Sequence, residues 1–412
     1  MKYNFQKYIK QLAALGMLAS ALLSCSKWDD YKKYTAEGEI SYTGKIDSVQ
    51  VFSGNERVQL SGILKADPKI TQMKVFWNYF KDSVTYDIDM ASGSRKFSQA
   101  FAVNEGIQSF VIYTYDALGN QSVAVNAVGR AYGPRYQNTL NNRLVGSASF
   151  MEGKPEITWL PMDLSAGPFA TEVRYESEAG TKVVRVPIDA ETTVLSDASP
   201  NMQLFSFRTL YLPEETSIDT FYTTYVDVGI SKDVTDDYLR NTRVPIATSV
   251  KGERWGIPTD WVTNAAVRNY KDPSGAFYGG VDYWFGGPFL AMEAGWSADN
   301  MTTIVNGKIY QSTTLSPGVY TFEMTIPDCT LDGEFYTVVA EGEGIPNIED
   351  LTSSLAYRKT SIPGTHKVTF IVRAAATISL GFVGYLENKG SGDGTFWRIN
   401  GIKLQKMPLI DE

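Results

Sequence analysis

The sequence predicts an all-β protein made of consecutive sandwich modules, and three observations carry that expectation. Runs rich in β-branched and aromatic residues recur at short, even intervals, with Gly, Pro and Asn turn signals between them. The 3.6-residue period of amphipathic helices is absent. Short segments between residues 40 and 132 return with weak identity about 95–100 residues later, which is one sandwich length.

The chain opens on Lys2, Lys7 and Lys10, followed by an apolar run from Leu12 to Leu23 of about 12 residues, shorter than the roughly 20 a membrane-crossing helix needs. That order is a secretory signal peptide, residues 1–24. Leu22-Leu23-Ser24-Cys25 resembles the lipobox of bacterial lipoproteins, and the resemblance implies that Cys25 carries lipid as the first mature residue; the alternative is an ordinary cleaved signal with an incidental cysteine. Ser26-Lys27-Trp28-Asp29-Asp30 is similar to the short signal that sends Bacteroidetes-type lipoproteins to the exterior of the outer membrane. Residues 25–38, polar and aperiodic, read as a tether.

In the first module, residues 39–132, strands are expected at Val49–Phe52, Val58–Leu60, Met73–Trp77, Thr85–Ile88 and Phe110–Tyr115. Turn signals at Ser53-Gly54-Asn55, Asp67-Pro68, Ser92-Gly93 and Leu118-Gly119-Asn120 separate them. The run from Phe110 to Ser122 resembles the end of a fibronectin type III domain, which implies an Ig/fibronectin III-like sandwich with Trp77 and Tyr113 as core or corner residues. The second module, residues 133–245, repeats the plan: Ile157, Val173 and Phe205 fall where Val58, Val75 and Phe110 stood. Gly133-Pro134 punctuates the first boundary, with a short helical or irregular joint over Tyr136–Arg143, and the charged stretch Asp233–Pro245 marks the second.

Beyond it, residues 246–412 change in composition and hold five of the eight tryptophans. Strands are expected at Thr303–Gln311, Gly318–Ile326, Glu334–Ala340, Lys367–Arg373, Thr377–Val383 and Thr395–Leu404, the last with a bulge at Gly401. From Val319 to Ile326 even positions are apolar and odd ones mostly polar, so one face is buried. Leu315–Phe322 and Phe396–Leu404 resemble the inner and final strands of galactose-binding-like jelly rolls, a fold shared by many carbohydrate-binding modules. Phe396 and Trp397 alternate, so one of the two faces outward.

Composition narrows the function. With 43% hydrophobic and 13% aromatic residues the chain is folded, and at 412 residues it exceeds one ordinary core. The net charge is −8, and residues 1–24 carry three lysines and no acid, so processing takes it to −11. Such a surface repels nucleic acid, which is not expected as a partner. Cys329 is the one thiol besides Cys25 and reads as buried filler; no intrachain disulfide is expected if Cys25 is lipidated. His366, the single histidine, heads the alternating run to Val372 and reads as an exposed strand end, leaving little basis for a histidine-dependent zinc site or serine triad.

Taken whole, the chain resembles surface lipoproteins of Bacteroidetes-type polysaccharide-utilisation systems. The resemblance implies a non-catalytic, outer-membrane, lipid-anchored protein that binds glycan or polysaccharide, alongside an outer-membrane transporter complex. Glycan recognition needs aromatic faces for sugar C–H surfaces and polar groups for hydroxyls. The glycine-rich run Tyr278–Gly287 and the neighbouring Trp296–Asn300 have that mixture, and the candidate ligand-binding residues are Tyr278, Asp282, Tyr283, Trp284, Trp296 and Asn300. The plainer reading puts these aromatics in the core. A second region is the loop Tyr385–Gly394. No catalytic residue, metal ligand or cofactor is assigned: Asp299 and Asp393 lack a spaced calcium loop, and Asp282, Glu293, Asp299, Glu341 and Glu343 lack the context of a glycosidase pair. The rival functions are an adhesion or assembly protein that binds another protein, and a glycosidase.

Overall fold

A computed structural model describes residues 42–91, 93–296, 301–390 and 393–410. The protein is all-β, and its strands form stacked antiparallel sheets. The contacts divide the chain into two compact units.

The first unit runs to Thr139 and also takes in Leu212–Phe221. One sheet orders Ile46–Ser53, Arg57–Leu64 and Arg95–Ala102; the other orders Asp82–Asp87, Gln72–Trp77, Gly106–Tyr115 and Val125–Ala131. Alternation along each strand sends Val58, Leu60, Met73, Val75, Phe110 and Ile112 into the space between the sheets, all at 0–1% exposure. Trp77 packs on this core, 5.2 Å from Phe101, whereas Tyr113 lies on the opposite face of its strand, edge-on to Phe76 at 6.3 Å. The fibronectin-like expectation thus holds for Trp77 and is corrected for Tyr113, whose strand parity with Phe76 takes it out of the core. The helical joint is one turn, Pro134–Gln137.

The second unit comprises Leu140–Tyr211 and the chain from Tyr222 onward. Its first sandwich faces Val145–Met151, Lys154–Trp159 and Thr192–Val194 against Gly180–Pro187, Pro168–Ser177, Leu204–Tyr211 and Val226–Gly229. Ile157, Val173 and Phe205 are each 0% exposed, so the internal repeat read from sequence equates core positions with core positions.

The last module carries a separate core of aromatic rings. Tyr320 stacks on Phe370 at 5.5 Å, Phe382 packs on Trp397 at 4.9 Å, and Phe335 stacks on Trp397 at 5.7 Å. One sheet orders Lys232–Asp233, Gly401–Met407, Gly318–Ile326 and Gly364–Val372. A second orders Val262–Thr263, Ile304–Leu315, Ala376–Leu386, Glu334–Glu341 and Ala356–Lys359. The third, which carries the site described below, orders Thr248–Lys251, Trp255–Pro258, Gly280–Asp282, Phe289–Gly295 and Gly394–Ile399.

Three local expectations change. Val234, Leu239 and Ile246 sit in this core, so the charged stretch around them is part of the last module. The expected closing strand is two strands in different sheets, parted at Asn400, whose N–H donates to the Thr325 carbonyl at 3.1 Å. His366 is 6% exposed, not at an open strand end, because strand parity with Val368 and Phe370 turns it inward; its Nε2 lies 2.8 Å from the Ile362 carbonyl oxygen.

Candidate functional site

The outward face of the third sheet is polar, unlike its partner face. On Phe289–Gly295, Leu290, Met292 and Ala294 point into the core, so Ala291 and Glu293 face the other way. On Gly394–Ile399, Trp397 and Ile399 are core, leaving Phe396 and Arg398 on the side of Glu293; the register sets Glu293 opposite Phe396 and Ala291 opposite Arg398. Asp282 ends its strand beside Phe289, and Arg254 precedes Trp255, which pairs with Asp282. Antiparallel pairing therefore gathers two guanidiniums and two carboxylates on one surface.

These four charges form a closed network. Arg254 donates through Nε to Asp282 Oδ1 at 3.2 Å and through Nη2 to Asp282 Oδ2 at 3.1 Å and Glu293 Oε2 at 2.7 Å. Arg398 Nη2 lies 3.4 Å from Asp282 Oδ2 and 3.6 Å from Glu293 Oε2, and its Nη1 reaches Asp328 Oδ2 at 3.6 Å. Burial draws the Arg254 guanidinium toward neutrality, but the hydrogen bonds and charges of Asp282 and Glu293 outweigh it and hold its pKa above the ordinary value. Burial pushes the Glu293 carboxyl up, and the pull of Arg254 offsets only part of that.

Aromatic rings roof the network. Trp284 and Phe285 follow Asp282 in a loop that turns back at Gly286-Gly287, where a Cβ on Gly287 would lie 2.3 Å from the Asp282 carbonyl oxygen. The Trp284 N–H donates to Asp282 Oδ1 at 3.0 Å, which fixes the loop to the carboxylate below. The Arg254 guanidinium carbon stands 4.7 Å from the Trp284 ring centre, and that of Arg398 lies between Phe285 at 4.6 Å and Phe396 at 4.2 Å. Trp296 packs over Gly394, where a Cβ would meet its Nε1 at 1.9 Å.

Phe285 and Trp296 both sit on left-handed backbone, with φ of 56° and 58°, a conformation that costs non-glycine residues of order 1 kcal/mol or more each. Trp284 is 53% exposed, Phe285 71% and Trp296 39%, so the rim presents apolar faces to solvent. Between them lies a cavity of about 360 Å³ lined by Arg254, Trp284, Phe285, Glu293, Trp296, Asp328, Phe396 and Arg398. Cavities of roughly 300–1,000 Å³ are of small-ligand size.

Of the residues singled out in the sequence, Trp284 and Trp296 line the cavity. Asp282 lies beneath it, wholly buried, where it orients Arg254 and is closed to direct contact with a ligand. Tyr278 packs against the Trp255 cluster, and Tyr283 is tied to Thr248 through a 2.6 Å hydroxyl contact. Neither lines the cavity. Asn300, Asp299 and Cys25 lie outside the described residues. Sequence reading did not single out Arg254, Phe285, Asp328, Phe396 or Arg398 as ligand contacts; Phe285 lay inside the Tyr278–Gly287 run, and the alternation of Phe396 with Trp397 put one of the two outward without deciding which. Cys329, beside Asp328, is buried, and that burial pushes its thiol up to about 11.

Residues 25–221 match the profile of a family described as a domain of unknown function, DUF4998, and residues 240–381 match that of a second, DUF5013. No curated protein matches the chain. Among solved structures, a two-domain fibronectin type III segment of chicken tenascin is similar at 12% identity and a TM-score of 0.19, covering 45% of this chain and 97% of that one. The K3 cleaved adhesin domain of Lys-gingipain from Porphyromonas gingivalis is similar at 12% identity and a TM-score of 0.23, covering 36% of this chain and 92% of that one.

Proposed function

We propose that the protein is a non-catalytic, glycan-binding surface lipoprotein, anchored through Cys25 in the outer membrane, that presents polysaccharide to an outer-membrane uptake complex. The observation that supports it is the cavity in the last module, where the exposed rings of Trp284, Phe285 and Trp296 stand beside the solvent-facing carboxylate of Asp328. Ring faces cover sugar C–H surfaces, and the carboxylate accepts from hydroxyls. A binding role fits better than glycoside hydrolysis because the deep carboxylates, Asp282 and Glu293, are both engaged by Arg254.

The reading is tested by affinity electrophoresis of the full chain through gels carrying polysaccharides. Retardation that falls at least tenfold in apparent affinity with Trp284→Ala is the expected result (about 1.4 kcal/mol). Retardation indifferent to that change moves the site elsewhere. A second reading, adhesion to another protein, is favoured by a patch on the first module: Tyr79 is 94% exposed, Phe80 57% and Ile107 65%.

A further inference from the structure

Resting on the reading of this cavity as a glycan site, we propose that it takes glycans that are uncharged or amine-bearing and rejects uronate-rich or sulfated ones. The two guanidiniums at its floor do not offer their charge outward. Arg254, 5% exposed, is chelated by Asp282 and bonded to Glu293, with Trp284 above it. Arg398, 6% exposed, is held between the Phe285 and Phe396 rings with Nη1 and Nη2 turned toward Asp282, Glu293 and Asp328, while its buried Nε has no hydrogen-bond partner among the described residues.

Among the described residues the charged side chains around the cavity are unbalanced: three carboxyl groups face two guanidiniums. The one of the five that opens widely to solvent is Asp328, whose side chain is 61% exposed. The remaining rim is aromatic, and ring faces are themselves electronegative. An acidic sugar entering here meets a carboxylate and π faces, at close range and with less screening than in bulk water. A hydroxyl or ammonium meets a carboxylate acceptor, while the rings cover the C–H surface. The chain's net charge of −8 adds repulsion of the same sign.

The test compares the full chain on neutral β-glucan and galactomannan, on amine-bearing chitosan, and on polygalacturonate and chondroitin sulfate, by affinity electrophoresis at fixed salt. Binding to the acidic chains is expected to be at least about tenfold weaker than to the best neutral or amine-bearing chain. Asp328→Lys, an exposed change whose folding is checked by circular dichroism, is expected to shrink that ratio about tenfold. Equal binding of acidic and neutral chains, both lost with Trp284→Ala, overturns the charge selectivity and leaves the glycan site standing. Selectivity unchanged by Asp328→Lys overturns its assignment to this cavity. Retardation by none of the polysaccharides overturns the glycan reading and the selectivity together, whereas retardation that Trp284→Ala leaves intact moves the site elsewhere and overturns the selectivity assigned to this cavity.

Discussion

At Arg254 a guanidinium that is 5% exposed holds two carboxylates that water scarcely reaches, Asp282 at 0% and Glu293 at 3%. Removing one member of such a network strands the others in a poor solvent for charge, which costs about 3–5 kcal/mol. Arg254→Ala is accordingly expected to lower the thermal midpoint of the last module by several degrees in calorimetry, and an unchanged midpoint would contradict the network's structural role. Glu293 gives the pH dependence. Its pKa is raised in the folded state, so the folded protein binds more protons than the unfolded one between the two values. The penalty of keeping Glu293 charged is present at neutral pH and relieved as pH falls toward its ordinary value. Comparing wild type with Glu293→Gln from about pH 7 down to the ordinary glutamate value of 4.5, the difference in stability should move in favour of wild type; a difference flat across that whole range would refute the assignment. In the sequence, Trp284 and Trp296 were legible because glycines and aromatics cluster around them. Arg398 was not, since its partner Asp282 lies 116 residues away and only strand register joins them.

At the scale of elements, sequence and burial agree residue by residue along the Gly318–Ile326 strand. Gly318, Tyr320, Phe322, Met324 and Ile326 are buried, and the residues between them are half-exposed. A period of two is all that such a strand requires, and sequence carries it directly. Phe322, at 0% exposure and 5.8 Å from Phe382, is central to the aromatic core, so Phe322→Ala should cost about 3–5 kcal/mol in chemical denaturation. A loss below about 1 kcal/mol would mean that the core closes around the gap. The break at Asn400 was legible only as a fault in the alternation: the inward residues shift from Trp397 and Ile399 to Ile402 and Leu404, which reads as a bulge at Gly401. The change of sheet itself is decided by which neighbour each half pairs with, Phe289–Gly295 before it and Gly318–Ile326 after it. His366 is a different case: its inward parity with Val368 and Phe370 lies along its own strand and was readable from the alternation, and the expectation of exposure followed from its place near the strand's start.

For the whole molecule, separate buried clusters centre on Val58 and Phe110, on Ile157 and Phe205, and on Phe322 and Trp397. The proposed anchoring makes a prediction at this scale. Cys25→Ala should move the protein from the membrane fraction to the soluble fraction and abolish palmitate labelling in its native host. Persistent membrane association without labelling would remove the lipid from the account, while leaving the cavity untouched.

The amino-acid sequence determined the properties that repeat along the chain: strands at a period of two, a core pattern that returns after one sandwich length, and an aromatic, glycine-rich loop where large side chains and tight turns coincide. These are local, so neighbours in sequence suffice to express them. Tertiary structure alone decided that Asp282 lies under the cavity, that Arg254 and Arg398 converge on it, and that Asp328 is left facing solvent. Those placements depend on register and on sheet-to-sheet pairing, which bring together residues that no spacing in the chain relates.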